Sequence, residues 1–361
     1  MGVLRTILAL AVVVYHSYKL FGLRMCGGQV AVESFYMISG FYMALILNEK
    51  YVGVGYYKKF ILSRFYRIFP VYWAILIAAL LLSLVGYFGF QNPYYLTRYI
   101  NNYSCLSGLT IFYFLIENCI VIGQDVLYFL RLDELCQPLL TYNVLSYKHT
   151  GYQYLLVPQA WSISIEFLFY LLAPFLVTKK LKWQVVLVLL GFIAKYYFFN
   201  YRYLSYDPWT YRFFPFELAF FMAGSVAYQT YIKLKDKKIP SGIGCVMLLV
   251  LVGLVLFYDQ LPLCNSQVKN SIFFSIVFVF LPFLFVAFKN SKMDRTIGEL
   301  SFSLYISHHL IVSAFHNYFF SHPHYLYLYG YTVVFCSLMI AFLLQNTIVK
   351  YIETYRLKRF S

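Results

Sequence analysis

Eleven stretches of the chain are apolar for nearly the length of a bilayer-spanning helix. They fall at about 3–22, 30–47, 70–90, 106–122, 161–178, 183–200, 213–231, 243–259, 271–288, 298–317 and 329–349. A helix rises ~1.5 Å per residue, so about 20 apolar residues cross the ~30 Å hydrocarbon core. The pattern therefore predicts an all-α, polytopic membrane protein. One run stands apart. The 106–122 stretch carries Glu117 and Asn118 in its middle, which suits a re-entrant or surface helix better than a crossing.

Composition agrees with the pattern. With 61% hydrophobic and only 12% charged residues over 361 positions, a soluble domain is excluded. The first run lacks both a charged leader and a small-residue cleavage site, so it reads as a span rather than a signal peptide. The net charge of +15 carries topology rather than nucleic-acid binding, because basic residues mark cytoplasmic loops. Clusters lie at 50–67, 179–182, 233–238, 289–295 and 350–359. If 106–122 does not cross, these clusters and Arg5 share one side, with 20 basic residues there and 9 opposite. If it does cross, the tally becomes 12 against 17. The first option predicts ten crossings with both termini cytoplasmic.

The stretch from about 91 to 160 is then the main outer-face element of a single unit spanning 1–361, with no attached soluble domain. It is rich in Tyr and Asn (NPYYLTRYINNYSC, YNVLSYKHTGYQY). Its tyrosines fit an interfacial aromatic belt or a platform for sugar rings, and both readings stay open. The seven cysteines show no metal spacing, so no metal site is expected. Cys26, Cys105, Cys136 and Cys264 fall in or near loops, and Cys105 and Cys136 can pair if that side is oxidising.

Ionisable residues inside apolar runs are functional candidates by default. Arg5 and His16 lie eleven positions apart in the first run. At ~100° per residue they return to nearly one helix face, separated by ~16 Å along the axis. They could line one groove, the arginine at its mouth. Four further stretches carry polar chemistry: GGQVAVESFYMISGF (27–41), RFYRIFPVYW (64–73), WSISIEFLFYLLAPFL (161–176) and LSFSLYISHHLI (300–311).

Together these stretches resemble the family-three membrane acyltransferases, the bacterial O-acyltransferases of surface glycans and related molecules. That family's arginine, ten residues and histidine are matched by Arg5 and His16. Its Gly-Val-(Asp/Glu)-x-Phe-Phe-x-x-Ser-Gly pattern is matched with Ala31 for glycine, Glu33 as the acid and Tyr36 for the second aromatic, ending at Ser39 and Gly40. Its Arg-x-x-Arg pair is Arg64 and Arg67. Its Trp-Ser-x-Ser-x-Glu segment runs from Trp161 to Glu166, where Phe167 and Leu168 replace the usual acid and glutamine. Arg212 and Glu217 before Ala223-Gly224, and the segment ending at His308, also match.

The resemblance implies an acyl group, most simply acetyl, moved from cytoplasmic acyl-CoA to a hydroxyl of a glycan or lipid-linked acceptor. Acyl-CoA would be a co-substrate, with no permanently bound cofactor and no nucleic-acid partner. The expected setting is the inner (plasma) membrane, multi-pass and among membrane lipids. Arg5, Arg64 and Arg67 would clamp donor phosphates through bidentate guanidinium forks. His16 and Glu166 should both sit ~8–11 Å below the outer boundary. The carboxylate could then orient His16 as general base, or His16 could itself be acylated. Glu33, Ser39, Trp161, Glu217 and His308 are the candidate cavity-lining residues. The rival expectation is a transporter or flippase for a polysaccharide or lipid-linked sugar.

Overall fold

The computed structural model describes residues 1–237, 240–262 and 265–360. Lys238 and Cys264, both named above, lie outside them. The described residues are mostly helical, with almost no sheet. The helices are α1 (Gly2–His16), α2 (Gly27–Glu49), α3 (Tyr56–Phe90), α4 (Thr97–Asn101), α5 (Gly108–Ile120), α6 (Trp161–Leu176) and α7 (Leu181–Tyr201), followed by α8 (Phe214–Leu234), α9 (Ser241–Leu256), α10 (Ser266–Phe288), α11 (Lys292–Ser321), α12 (Leu326–Leu344) and α13 (Lys350–Phe360). Two short strands, β1 (Leu130–Leu132) and β2 (Pro138–Leu140), pair antiparallel with Leu130 opposite Leu140.

By length and apolarity, six stretches among the described residues suffice to cross a bilayer: Gly27–Glu49, Tyr56–Phe90, Pro158–Leu176, Leu181–Tyr201, Ser266–Phe288 and Pro323–Arg359. The other four expected crossings fall short for two reasons. α1 and α9 are apolar but have only 15 and 16 residues. α8 and α11 have the length but are more polar: α8 carries Glu217, and the expected crossing in α11 carries Ser301, Ser303, Ser307, His308 and His309. α1 stops at His16, where Ser17 Oγ donates back to the Val13 carbonyl. α5 has 13 residues, ~20 Å at helical rise, and ends at Val121 with φ 70°. Its mid-run Asn118 turns inward, donating to the Tyr154 carbonyl at 2.9 Å and accepting from the Leu156 amide at 2.7 Å. The polar residue that spoils the run as a span thus ties it to the outer element. Cys105 and Cys136 are joined there as a disulfide.

α1 is central, with Leu4, Leu8, Ala9, Ala11, Val12 and Val13 buried, and it packs on α2 and α11. Its start is pinned by Asp294, whose Oδ2 accepts from the Gly2 amide at 2.7 Å and Oδ1 from the Val3 amide at 3.0 Å. α2 packs on α8, and the contact depends on two glycines. A Cβ on Gly40 would collide with the Phe221 carbonyl, and one on Gly224 with the Met37 carbonyl. Such close backbone approach is how membrane helices associate without a hydrophobic drive between them. α7, by contrast, buries only Gln184 and Lys195. An apolar helix with most of its surface exposed is suited to lipid contact.

Candidate active site

Two cavities meet inside the bundle. The outer one, of about 720 Å³, is lined by His16, His309, Trp161, Tyr128, Tyr152 and Arg212 among others. The inner one, of about 920 Å³, includes Arg5, Ser39, Arg64, Arg67, Glu166 and Tyr170. Val32 and Tyr305 line both and so form part of the wall between them. α1 reaches from one to the other, with Arg5 in the inner cavity and His16, its last residue, in the outer.

α6 distributes its motif the same way. Successive residues point ~100° apart on a helix, so each polar side chain of W-S-x-S-x-E meets different surroundings. Trp161 faces the outer cavity. Ser162 Oγ lies 2.6 Å from the Tyr305 hydroxyl, within the dividing wall. Ser164 Oγ donates to Asp125 Oδ1 at 2.6 Å and accepts from the Gly123 amide at 2.9 Å. Burial still lifts the Asp125 pKa above the ordinary carboxylate range, despite that bond. Glu166 reaches the inner cavity, where its Oε1 accepts from Ser39 Oγ at 2.7 Å and from the Tyr170 hydroxyl at 2.5 Å. Among the described residues no hydrogen bond joins Glu166 to His16. The expected pairing of the two is not made, because Ser39 and Tyr170 hold the carboxylate on the inner side.

His16 opens onto the outer cavity with two other imidazoles against it, His308 at 5.3 Å and His309 at 5.8 Å between ring centres. The adjacent pair splits as helix geometry requires. His309 lines the cavity, whereas His308 is fully buried behind His16. Of the adjacent pair it is His309, and not the candidate His308, that lines this cavity. His308 Nδ1 donates to the Tyr305 carbonyl at 2.6 Å, and its Nε2 has no partner among the described residues. His309 Nδ1 lies 3.1 Å from the Tyr95 hydroxyl.

Arg212 is held in an aromatic cage. Its guanidinium carbon sits 4.1 Å from the ring centres of both Tyr128 and Trp161, and 4.6 Å from that of Tyr211. Nε donates to Asp207 at 2.7 Å and Nη2 to the Tyr211 hydroxyl at 2.9 Å. Burial alone would lower its pKa, but Tyr128, Tyr211 and Asp207 outweigh it and raise it. The charge is thus fixed beside the outer cavity.

Arg5, Arg64 and Arg67 converge in the inner cavity, and none forms a salt bridge among the described residues. Arg64 is only 5% exposed and its Nε is unpartnered. A buried charge without a counter-charge is expensive, and the three guanidiniums together make this cavity wall electropositive. Ser39 lines the inner cavity and Trp161 the outer one. Glu33 and Glu217 line neither. Both bind Lys195, whose Nζ donates to Glu33 Oε1 at 2.5 Å and Glu217 Oε1 at 3.0 Å. Lys195, within the apolar run at 183–200, is therefore an internal basic residue. Tyr305, Tyr170 and Asp125 were not singled out by sequence, since neutral hydroxyls and loop acids give no signal there.

A family model described as an acyltransferase domain matches residues 1–345. The chain belongs to the family-three membrane acyltransferases. This acyltransferase has no significant match among the curated proteins or the solved structures. The family assignment makes it a membrane-bound enzyme of acyl transfer, which displaces the transporter expectation.

Proposed function

We propose that this acyltransferase moves an acyl group, acetyl in the simplest case, from cytoplasmic acyl-CoA to a hydroxyl of a glycan or other surface-polymer acceptor. The observation that carries the reading is the set of unpaired guanidiniums, Arg5, Arg64 and Arg67, in a cavity that adjoins the one holding His16. The inner cavity takes the donor phosphates, and the thioester reaches the wall at Val32 and Tyr305. The acceptor enters the outer cavity among Tyr128, Tyr152 and Trp161, whose flat faces suit sugar rings. His16 takes the acceptor's proton as the hydroxyl oxygen attacks the thioester carbonyl. The carbon–sulfur bond breaks and the CoA thiolate departs, recovering a proton from the imidazolium. An acyl-His16 intermediate is the two-step version of the same chemistry. Glu166 supports by ordering Ser39 and Tyr170 on the donor side rather than by touching His16.

The enzyme sits in the plasma membrane with ten crossings and cytoplasmic termini in this reading. The disulfide in the outer element fits an oxidising side. The test is radiolabel transfer from acetyl-CoA in membranes carrying the unaltered protein or His16→Ala at matched abundance. His16→Ala should lose product by ~10²-fold or more, the usual scale for general acid–base work. Equal product in both would remove His16 from the chemistry.

A further inference from the structure

α13 lies beyond residue 345, where the family match ends. It continues α12 through a single π-helical stretch, Gln345–Val349. It then packs against α3: Arg356 Nη1 donates to Ser63 Oγ at 3.1 Å, and the Tyr355 ring meets the Tyr66 ring at 5.4 Å. Asn346, Lys350, Glu353 and Arg356 recur at helical spacing and line the inner cavity. That cavity is lined by eight basic and four acidic side chains. All four acids already have partners: Asp294 the amides that begin α1, Glu353 Arg356, Glu166 Ser39 and Tyr170, and Glu299 Gln345. Exposure grades along the basic set. Arg64 is buried, Arg67 and Arg356 are half-buried, and Lys350 is exposed. The deep arginines are therefore flanked by a second basic pair nearer the opening.

We propose that α13 completes the donor site, with Lys350 and Arg356 holding the 3′-phosphate at the nucleotide end of acyl-CoA. This rests on the donor reading above. A phosphomonoester carries about 1.5 to 2 negative charges at neutral pH and three strong acceptor oxygens. It is thus the donor group best matched to a guanidinium plus an ammonium. Glu353 holds Arg356 through Nε and Nη2, which leaves Nη1 to exchange Ser63 for a phosphate oxygen. The pyrophosphate then falls to Arg5, Arg64 and Arg67, deeper in.

The experiment is calorimetric binding of CoA and of 3′-dephospho-CoA to the purified full-length protein, unaltered and as Lys350→Gln/Arg356→Gln. The unaltered protein should prefer CoA by about tenfold or more, and the double variant should bind the two about equally. Lys350→Glu, at an exposed site, should narrow the preference even if the double variant fails to fold. A preference retained in the variants, or absent from the unaltered protein, overturns the assignment and leaves the donor reading standing. Failure of the unaltered protein to bind either nucleotide overturns both.

Discussion

Lys195 shows what one buried charge demands of its surroundings. A lone ammonium in a membrane bundle is costly, and here two carboxylates from α2 and α8 answer it, binding three helices at one point. Breaking such a set is worse than never having it, because the two acids stay buried without the ammonium that answered them. Lys195→Met should therefore destabilise the protein by about 3–5 kcal/mol, seen as a lower unfolding temperature in detergent. Adding Glu33→Gln and Glu217→Gln should recover much of the loss. A Lys195→Met protein as stable as the parent would mean the set does not hold the helices together. The sequence displayed Lys195 inside an apolar run, yet its partners are 162 and 22 positions away and no local pattern links them. Arg5 and His16 were legible for the opposite reason. Both lie on one helix, so eleven residues of spacing convert directly into the distance between two cavities. Glu166 was legible as an intramembrane acid but not in its partner, since Ser39 comes from another helix.

At the scale of the element, fold depends on where backbones are allowed to touch. Gly40 and Gly224 let α2 and α8 approach until a carbonyl of each fills the other's missing side chain. Gly224→Leu would drive a side chain into the Met37 carbonyl and the Phe41 amide, which are backbone and cannot turn aside. Overpacking of this kind costs about 1–3 kcal/mol or more. Gly253→Leu, in α9 where an added Cβ meets nothing within 4 Å, should be tolerated. Comparing the yield of monodisperse protein after detergent extraction tests the pair, and equal yields would argue against a close-packed α2–α8 contact. Ser39 and Gly40 could be read from sequence as packing residues of the second span, but not their partner in α8. The ends of helices could not. The first apolar run continues past His16, but the helix ends there at Ser17, whose hydroxyl donates back to the Val13 carbonyl, which brings the histidine to the helix end.

At the scale of the molecule, charge and cavity both bear on the proposed orientation. Lys50, Arg64 and Arg67, then Lys289 and Arg295, then Lys350 and Arg356 belong to three separate basic clusters along the chain, and all line the same cavity as Arg5. The positive-inside rule assigns that end to the cytoplasm, which is also where acyl-CoA is made available in the proposed reaction. The outer cavity lies beyond the wall at Val32 and Tyr305, beside the segment that carries the disulfide. Two exposed lysines report on the two sides: Lys148 in the outer element and Lys180 between α6 and α7. Each can be changed to Cys in a protein whose cysteines outside the Cys105–Cys136 pair are serine. In intact cells a membrane-impermeant maleimide should modify the Lys148→Cys protein. The Lys180→Cys protein should react only after the membrane is opened. Reaction at position 180 from outside would place the α6–α7 turn on the acceptor side, and the donor cavity would then open away from its substrate. The same result would detach the arginine cluster from acyl-CoA, so this labelling bears on the direction of acyl transfer as well as on the number of crossings.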